Sequence, residues 1–269
     1  MTRKIYLTDL SDAEWHRLSC LVPAPKPGGR PLKYPRRAIL NAIFYLVRAG
    51  CPWRMLPIDL PPWKIVYHYF RLWTQTGWWQ SLHDHLRGQL RAQEGRRPQP
   101  SAGILDSQSV KTASPTSERG FDAGKKIAGR KRHVLVDTLG LMWLLVIHPA
   151  DIQDRDGARL LLAALHTCCL RLRLIWADGG YSGALVQWVA QLRQRAPLRL
   201  EIVKRSDLKG FKGFVVLPKR WIVERTFGWL SRSRRLCRDY ETQVPHSQAM
   251  VLIAMSHLML RRLHNKGTF

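Results

Sequence analysis

Over roughly the first 95 residues the apolar positions fall three and four apart, the spacing of helices with one buried face. Thr8 or Ser11 can cap a first helix through about Leu21, which the Pro- and Gly-rich run 23–29 ends. Arg36 to Ala49 places Ile39, Ile43, Leu46 and Val47 on one stripe, and Gly50-Cys-Pro-Trp-Arg stops it. Pro61-Pro-Trp opens a third helix with Ile65, Val66, Tyr69, Phe70 and Trp73 on its apolar side and Lys64, His68 and Arg71 on the other. Gly77 breaks it, and Trp78 to Arg91 forms a fourth. Short helices, tight turns and basic exposed faces fit a small all-α, helix-turn-helix-like domain over residues 1–95.

The pattern changes after the polar, Gly- and Pro-rich stretch Gln93–Ser101, and residues 96–102 read as a linker. Short apolar runs follow, each bounded by turn residues. Gly103–Asp106, Lys131–Asp137, Leu141–His148, Leu172–Ala177 and Leu198–Val203 read as strands. Asp154 to about Cys169, Leu185–Arg195, Trp221–Leu236 and Gln248–His264 read as helices. Three consecutive strands, then alternating helix and strand, predict an α/β domain over residues 103–269, a mixed sheet with helices on its faces.

Charge narrows the class of partner. The 269 residues carry 44 Lys and Arg against 19 Asp and Glu, a net charge of +25. Residues 1–100 hold 16 basic and 6 acidic side chains and residues 101–269 hold 28 and 13, so both regions are basic. Such a field suits nucleic acid or an anionic membrane surface, and 45% hydrophobic residues exclude a disordered basic tail. The start MTRKIYLTDL has neither the apolar core nor the cleavage site of a secretory signal, and no apolar run approaches the length of a membrane span. The five cysteines, Cys20, Cys51, Cys168, Cys169 and Cys237, form no C-x-x-C pair, which argues against disulfides or zinc and for a reducing cytoplasm, with all five as buried small apolar residues.

Three acids stand out. Asp106 in ILDSQSV and Asp178 in LIWADGGYSG each follow an apolar run directly, where a carboxylate costs desolvation energy unless paired or metal-bound. Glu224 lies in the helix WIVERTFGWL among Trp221, Val223, Phe227 and Trp229. Three converging carboxylates without a His or Cys cluster describe a hard oxygen site for Mg²⁺ or Mn²⁺. A strand-terminal Asp is also a common turn residue. Asp137 is a rival better read as a turn cap, and Asp151, Asp154 and Asp156 suit a helix N-terminus.

Beginning at ILDSQSVKT, the chain resembles the DDE transposases of bacterial insertion sequences of the IS-five family. The matching segments are DSQSVKT (106–112), GFDAGKKIAGRKRHVLVDTLG (120–140), ADIQDRDGA (150–158), WADGGYSG (176–183) and WIVERTFGWLSRSRRLCRDYE (221–241). LTDLSDAEWHRL, GGRPLKYPRRAILNAIFYLVRAGCPWRMLP and PPWKIVYHYFRLW resemble the helical domain ahead of that catalytic domain. The resemblance implies an RNase H-like catalytic domain in which Asp106, Asp178 and Glu224 are catalytic and hold two divalent ions. It implies hydrolysis at each transposon end and attack of the freed 3′-OH on target DNA. The partners it implies are double-stranded DNA and further copies of the chain, at least a dimer, in a prokaryotic, nucleoid-associated, cytoplasmic setting. A DNA-binding regulator without catalysis, or an RNase H-like nuclease that cuts without joining, is the alternative.

The family pattern runs Tyr, two residues, Arg, three residues, Glu, six residues, Lys. Arg220 and Glu224 fit it, whereas Leu217 stands at the Tyr position and Ser231 at the Lys position. Arg232 and Arg235, at i+8 and i+11 from Glu224, could supply the missing charge on the same helical face. Lys125, Lys126, Arg130, Lys131, Arg132 and His133 are candidates for clamping phosphates beside the scissile bond. Arg220, Arg225, Arg232, Arg234 and Arg235 are candidates around Glu224, and Arg36, Arg37, Lys64, His68 and Arg71 for reading the transposon end. Trp143, Trp176, Trp188, Trp221 and Trp229 read as core or helix-packing residues.

Overall fold

The computed structural model describes residues 4–24, 28, 32–113, 117–166, 169–193, 197–203 and 219–264. Leu217 and Cys168 lie outside the described residues. The chain divides into two compact units, Met1–Leu90 with Arg232–Cys237 and Ala249–Phe269, and Arg91–Ser231 with Arg238–Gln248.

The first unit is helical. α1 (Asp12–Ser19) opens with a capping box: Glu14 N–H donates to the Ser11 hydroxyl (3.2 Å) and Ser11 N–H to the Glu14 carboxylate (2.8 Å). α2 (Arg36–Ala49) buries Ile39, Leu40, Ile43, Phe44, Leu46 and Val47, the predicted stripe. It ends on Gly50, whose φ of +77° suits glycine. A side chain there would also meet Arg234 Cβ at 2.8 Å. α3 (Trp63–Gln75) and α4 (Trp78–Gln93) meet through Trp73, whose ring lies 4.7 Å from Trp78 and 5.5 Å from Trp79. The last helix, α8 (Val244–His264), contributes its residues from Ala249 onward, and His257 stacks on Phe44 of α2 at 4.4 Å. A linear division at residues 96–102 does not anticipate this return: Met255, Met259 and Leu260 of α8 are buried, in the same compact unit as the N-terminal helices.

The second unit is a six-stranded mixed sheet in the order β2-β3-β1-β5-β6, with β4 also paired to β3. The strands are β1 (Ala102–Lys111), β2 (Gly120–Asp122), β3 (Ile127–Asp137), β4 (Met142–Pro149), β5 (Leu174–Ala177) and β6 (Arg199–Ile202). β3 runs antiparallel to β1, β2 and β4, while β1, β5 and β6 are parallel. The predicted α/β class therefore holds. β1 and β3 are longer than their apolar runs, because polar residues continue the ladder: Gln108 pairs with Arg132 and Ser109 with Lys131. One face packs against α5 (Asp154–Ala163) and α6 (Ala184–Gln191) around Leu105, Leu135, Leu161, Leu162 and Ile175.

α7 (Trp221–Ser231) is fixed to the β3–β4 turn. The Thr226 hydroxyl donates to Gly140 O at 2.8 Å and Arg225 to Leu139 O at 3.0 Å. Asp137 is the cap its sequence suggests: its Oδ1 accepts from Leu139 N and Leu141 N, both at 2.9 Å, and its Oδ2 pairs with buried Arg91. α7 stops at Ser231, short of the predicted Leu236. Ser233 is extended, and Arg234–Leu236 form a separate 3₁₀ turn in the first unit. α5 likewise stops at Ala163 and gives way to a 3₁₀ turn. Among the cysteines, Cys20 and Cys237 are exposed and Cys51 half-buried, against the expectation that all are buried.

Candidate active site

β1 does not end at Asp106; the acid sits mid-strand, opposite Val134 of β3. On its other side the parallel ladder with β5 ends at the Ile104–Trp176 pair. β5 finishes at Ala177, and the next residue is Asp178. The early end of β5 thus opens the sheet beside Asp106 and sets the two aspartates at the same edge. α7 brings Glu224 to this edge.

The two aspartates are oriented alike. Asp106 Oδ1 accepts the Ser107 N–H at 2.7 Å, and Asp178 Oδ1 accepts the Gly180 N–H at 2.8 Å, which caps a 3₁₀ turn over Gly179–Tyr181. Their Oδ2 atoms share a partner: Arg220 Nη2 lies 3.6 Å from Asp106 Oδ2 and 3.5 Å from Asp178 Oδ2. The same nitrogen lies 3.9 Å from Glu224 Oε1, one helical turn along. Three acids distant in sequence thus converge on one guanidinium. Their side chains grade outward from 15% exposed at Asp106 to 33% at Asp178 and 62% at Glu224. Burial pushes the Asp106 carboxyl up to about 6; the Ser107 N–H and Arg220 oppose the rise, and the charge of Asp178 adds to it.

The donor set is carboxylate oxygen without imidazole or thiolate, the chemistry of a hard divalent cation. One oxygen of each aspartate is anchored by backbone and the other faces the common centre, which suits cation binding. The acids are spaced about Arg220, and among the described residues no three His, Cys, Asp or Glu side chains form a closed metal-binding group.

Beneath Asp106, on the opposite face of β1, lies a polar network. Lys131 Nζ is 2.9 Å from Asp154 and 3.5 Å from Asp122. The Ser107 hydroxyl donates to Asp154 at 3.0 Å and the Ser109 hydroxyl to Asp122 at 2.6 Å. Lys125 Nζ stands 3.3 Å from Ser107 O. His133 Nδ1 is 2.8 Å from His148 Nε2, with the rings stacked. Nothing in the apolar pattern signals Asp122, Asp154 or Tyr181 as neighbours of this edge, because β2, the start of α5 and the turn after β5 are brought there only by tertiary packing.

The basic candidates separate into two groups. Lys131, Arg132 and His133 are buried, at 4%, 2% and 0% exposure. Burial pushes His133 down to about 3, with His148 adding, so its ring is neutral. These three are interior residues, because β3 is buried along this stretch, whereas the basic run by itself suggests a phosphate clamp. Arg130 is also enclosed: it donates to Glu118 O, Glu241 O, Thr242 O, the Ser247 hydroxyl and Asp239 at 2.7–3.2 Å. Arg235 is buried and donates to Cys51 O at 3.1 Å. Because α7 has ended, neither Arg232 nor Arg235 continues the face of Glu224.

Arg220 is the candidate that the structure places among the acids. Lys125 and Lys126 are exposed on the β2–β3 turn. Arg225 lies 4.6 Å over the Trp221 ring and 4.8 Å over Trp229, and Trp221 is itself 45% exposed, not core. Lys219, not singled out by its sequence, lies 3.7 Å over the Trp176 ring. In the first unit Lys64, His68 and Arg71 are exposed on α3. Arg36 stacks on Tyr69 at 4.1 Å, and Arg37 pairs with Asp12 at 2.6 Å.

A family model of the transposase DDE domain matches residues 97–259, and a second, describing transposases of the IS4/5 family, matches residues 10–83. The chain is 31% identical over 125 residues to an uncharacterized 16.2 kDa protein of insertion element IS402 from Burkholderia cepacia, covering 44% of this chain and 78% of that one. It is 26% identical over 117 residues to the uncharacterized protein y4sN of Sinorhizobium fredii, covering 35% and 94%. No solved structure matches it.

Proposed function

Because the chain belongs to the DDE transposases of insertion sequences of the IS4/5 type, we propose that it binds the ends of its own element, cleaves a phosphodiester there and joins the freed 3′-OH to target DNA. The family's catalytic domain is RNase H-like and uses divalent metal ions. The observation that carries the reading is the convergence of Asp106, Asp178 and Glu224 on Arg220 from β1, the end of β5 and α7.

Asp106, Asp178 and Glu224 would hold the metal, Mg²⁺ or Mn²⁺, through carboxylate oxygens. When bound, two such ions activate the attacking oxygen and stabilise the leaving one. The anchoring of each aspartate through Oδ1 keeps its other oxygen pointed at the centre without side-chain rearrangement. Arg220 then has a second partner, since a guanidinium that pairs with carboxylates pairs equally with a phosphate. Lys125 lies near the same edge as a point charge for the neighbouring phosphate. In hydrolysis the water oxygen bonds to phosphorus and the 3′ oxygen leaves. In joining, that 3′-OH bonds to a target phosphorus and the target's 3′ oxygen leaves. Bond number is conserved in joining, so no nucleotide hydrolysis is required. Lys64, His68 and Arg71 on α3 are the exposed cations proposed to meet the element's end.

Asp106→Asn, Asp178→Asn and Glu224→Gln should each lower metal-dependent cleavage of an end-containing duplex by more than about 100-fold, the scale of losing an essential electrostatic group. Duplex binding should stay within a few-fold. Near-normal cleavage by any of the three removes that residue from the site. Pre-cleaved ends that are never joined to target DNA would leave a nuclease in place of a transposase.

A further inference from the structure

At the opposite end of the sheet from the acids, Arg91, Arg96, Arg97, Arg171, Ser101 and Thr138 line a cavity of about 210 Å³. Among the described residues that line it, four are arginines and none is an acid. Two of the four build the wall. Arg91 pairs with Asp137 and donates through Nε to Arg97 O at 2.9 Å. Arg171 donates through Nη1 to Gln99 O at 2.9 Å and through its backbone N–H to Gln99 Oε1 at 3.3 Å. The segment 96–101 is therefore held in place from both sides, although its composition reads as a loose linker. The side chains of Arg96 and Arg97 are exposed on that fixed backbone.

The topology sets the distance to the chemistry. The parallel strands β1 and β5 both start at this cavity, beyond Ser101 and Arg171, and both lead to the acids. At about 3.3 Å per residue, Asp106 lies roughly 16 Å from Ser101. An acid-free pocket of arginines with a polar backbone suits a phosphate group. In a chain of net charge +25, the abundant source of phosphates is DNA. We infer that this cavity seats a backbone phosphate of duplex DNA outside the catalytic edge, as a second anchor that contributes affinity and register but no chemistry. The inference rests on the transposase reading for its DNA partner, not on the acid site.

The test is anisotropy titration of the full chain with an unrelated-sequence duplex, without metal, over about 50–200 mM salt. The double variant Arg96→Ala with Arg97→Ala changes exposed side chains only, and a matching thermal melt shows that it folds. It should bind several-fold more weakly, and the log–log salt slope should shrink by about 0.9 for each phosphate that is no longer neutralised. Arg96→Lys with Arg97→Lys should keep the wild-type slope, since the charges remain. Unchanged affinity and slope in the alanine variant overturn the inference. So does an unchanged slope when inorganic phosphate alone stabilises wild type but not the variant, for the pocket would then take a free anion. Loss of metal-dependent cleavage in the wild-type chain would count against the transposase reading while leaving the slope comparison intact.

Discussion

Two arginines from the family segments show how much a residue's surroundings decide. Arg130, within the family-like segment 120–140, and Arg220, four residues before Glu224, are both offered the same phosphate-binding role by the sequence. Arg130 is fully enclosed, with its donors spread over three carbonyls, a hydroxyl and Asp239, whose Oδ1 in turn accepts the Glu241 N–H at 3.0 Å. It ties residues 239–247 to β3. Arg220 is 23% exposed and faces three carboxylates. Removing a guanidinium from an enclosed pair strands its partners, so Arg130→Met should lower stability by about 3–5 kcal/mol in urea unfolding. A loss under about 1 kcal/mol would mean that Asp239 and the carbonyls find other partners. The three acids are legible in sequence because apolar runs lead into two of them and packing residues surround the third. The internal partners of Lys131, Arg132, His133 and Arg130 are not, since a basic run looks the same whether it lines a surface or a covered strand.

At the level of elements, helical stripes and strand runs are legible in kind and less so in extent. The apolar run at 103–105 locates β1 but not its continuation to Lys111, because Ser107 and Ser109 are satisfied by Asp154 and Asp122 from other segments. The stop of α7 at Ser231 is hidden too, since nothing in Ser-Arg-Ser-Arg-Arg forbids a helix; residues 232–237 leave it by packing with the first unit. The placement of α7 bears on the proposed catalytic role of Glu224. Among the described residues no backbone group anchors Glu224 as Ser107 and Gly180 anchor the aspartates, so its position depends on how the helix is held. Thr226, buried two residues on, supplies a bond to Gly140 O, and Gly140 itself has φ +77° with Trp229 3.1 Å from where a Cβ would stand. Thr226→Val keeps the shape and removes that bond, which should cost ~1 kcal/mol. It should slow cleavage several-fold at saturating DNA while leaving duplex affinity unchanged. An equal fall in affinity would mean that α7 is held for DNA binding instead. Conversely, a cleavage rate equal to wild type would show that other contacts suffice to place Glu224.

Over the whole molecule, the first unit is assembled from both ends of the chain, so deletion of residues 1–95 would also strip the partners from α8 and is not a clean test of a separable binding module. The same assembly gives the unit a pH dependence. His257 of α8 is buried against Phe44, and burial pushes its pKa down to about 3, with Arg261 and Arg48 adding to the effect. His83 of α4 is also buried, and burial holds it below the usual imidazole range. In the unfolded chain both take up a proton near pH 6.5, whereas folded His257 stays neutral down to about 3. The unfolded state thus binds more protons over this interval, and stability falls as pH drops below 6.5. For His257 alone the loss is about 1.4 kcal/mol per pH unit, or about 2 kcal/mol by pH 5. Urea unfolding at about pH 7.5 and about pH 5 should show such a loss in the wild-type chain, and His257→Leu should shrink it by roughly that amount, leaving the parts due to the other shifted groups, His83, His133 and His148 among them. Parallel decline in the variant and the wild type would instead place the acid sensitivity at other groups, such as buried His83 and His133.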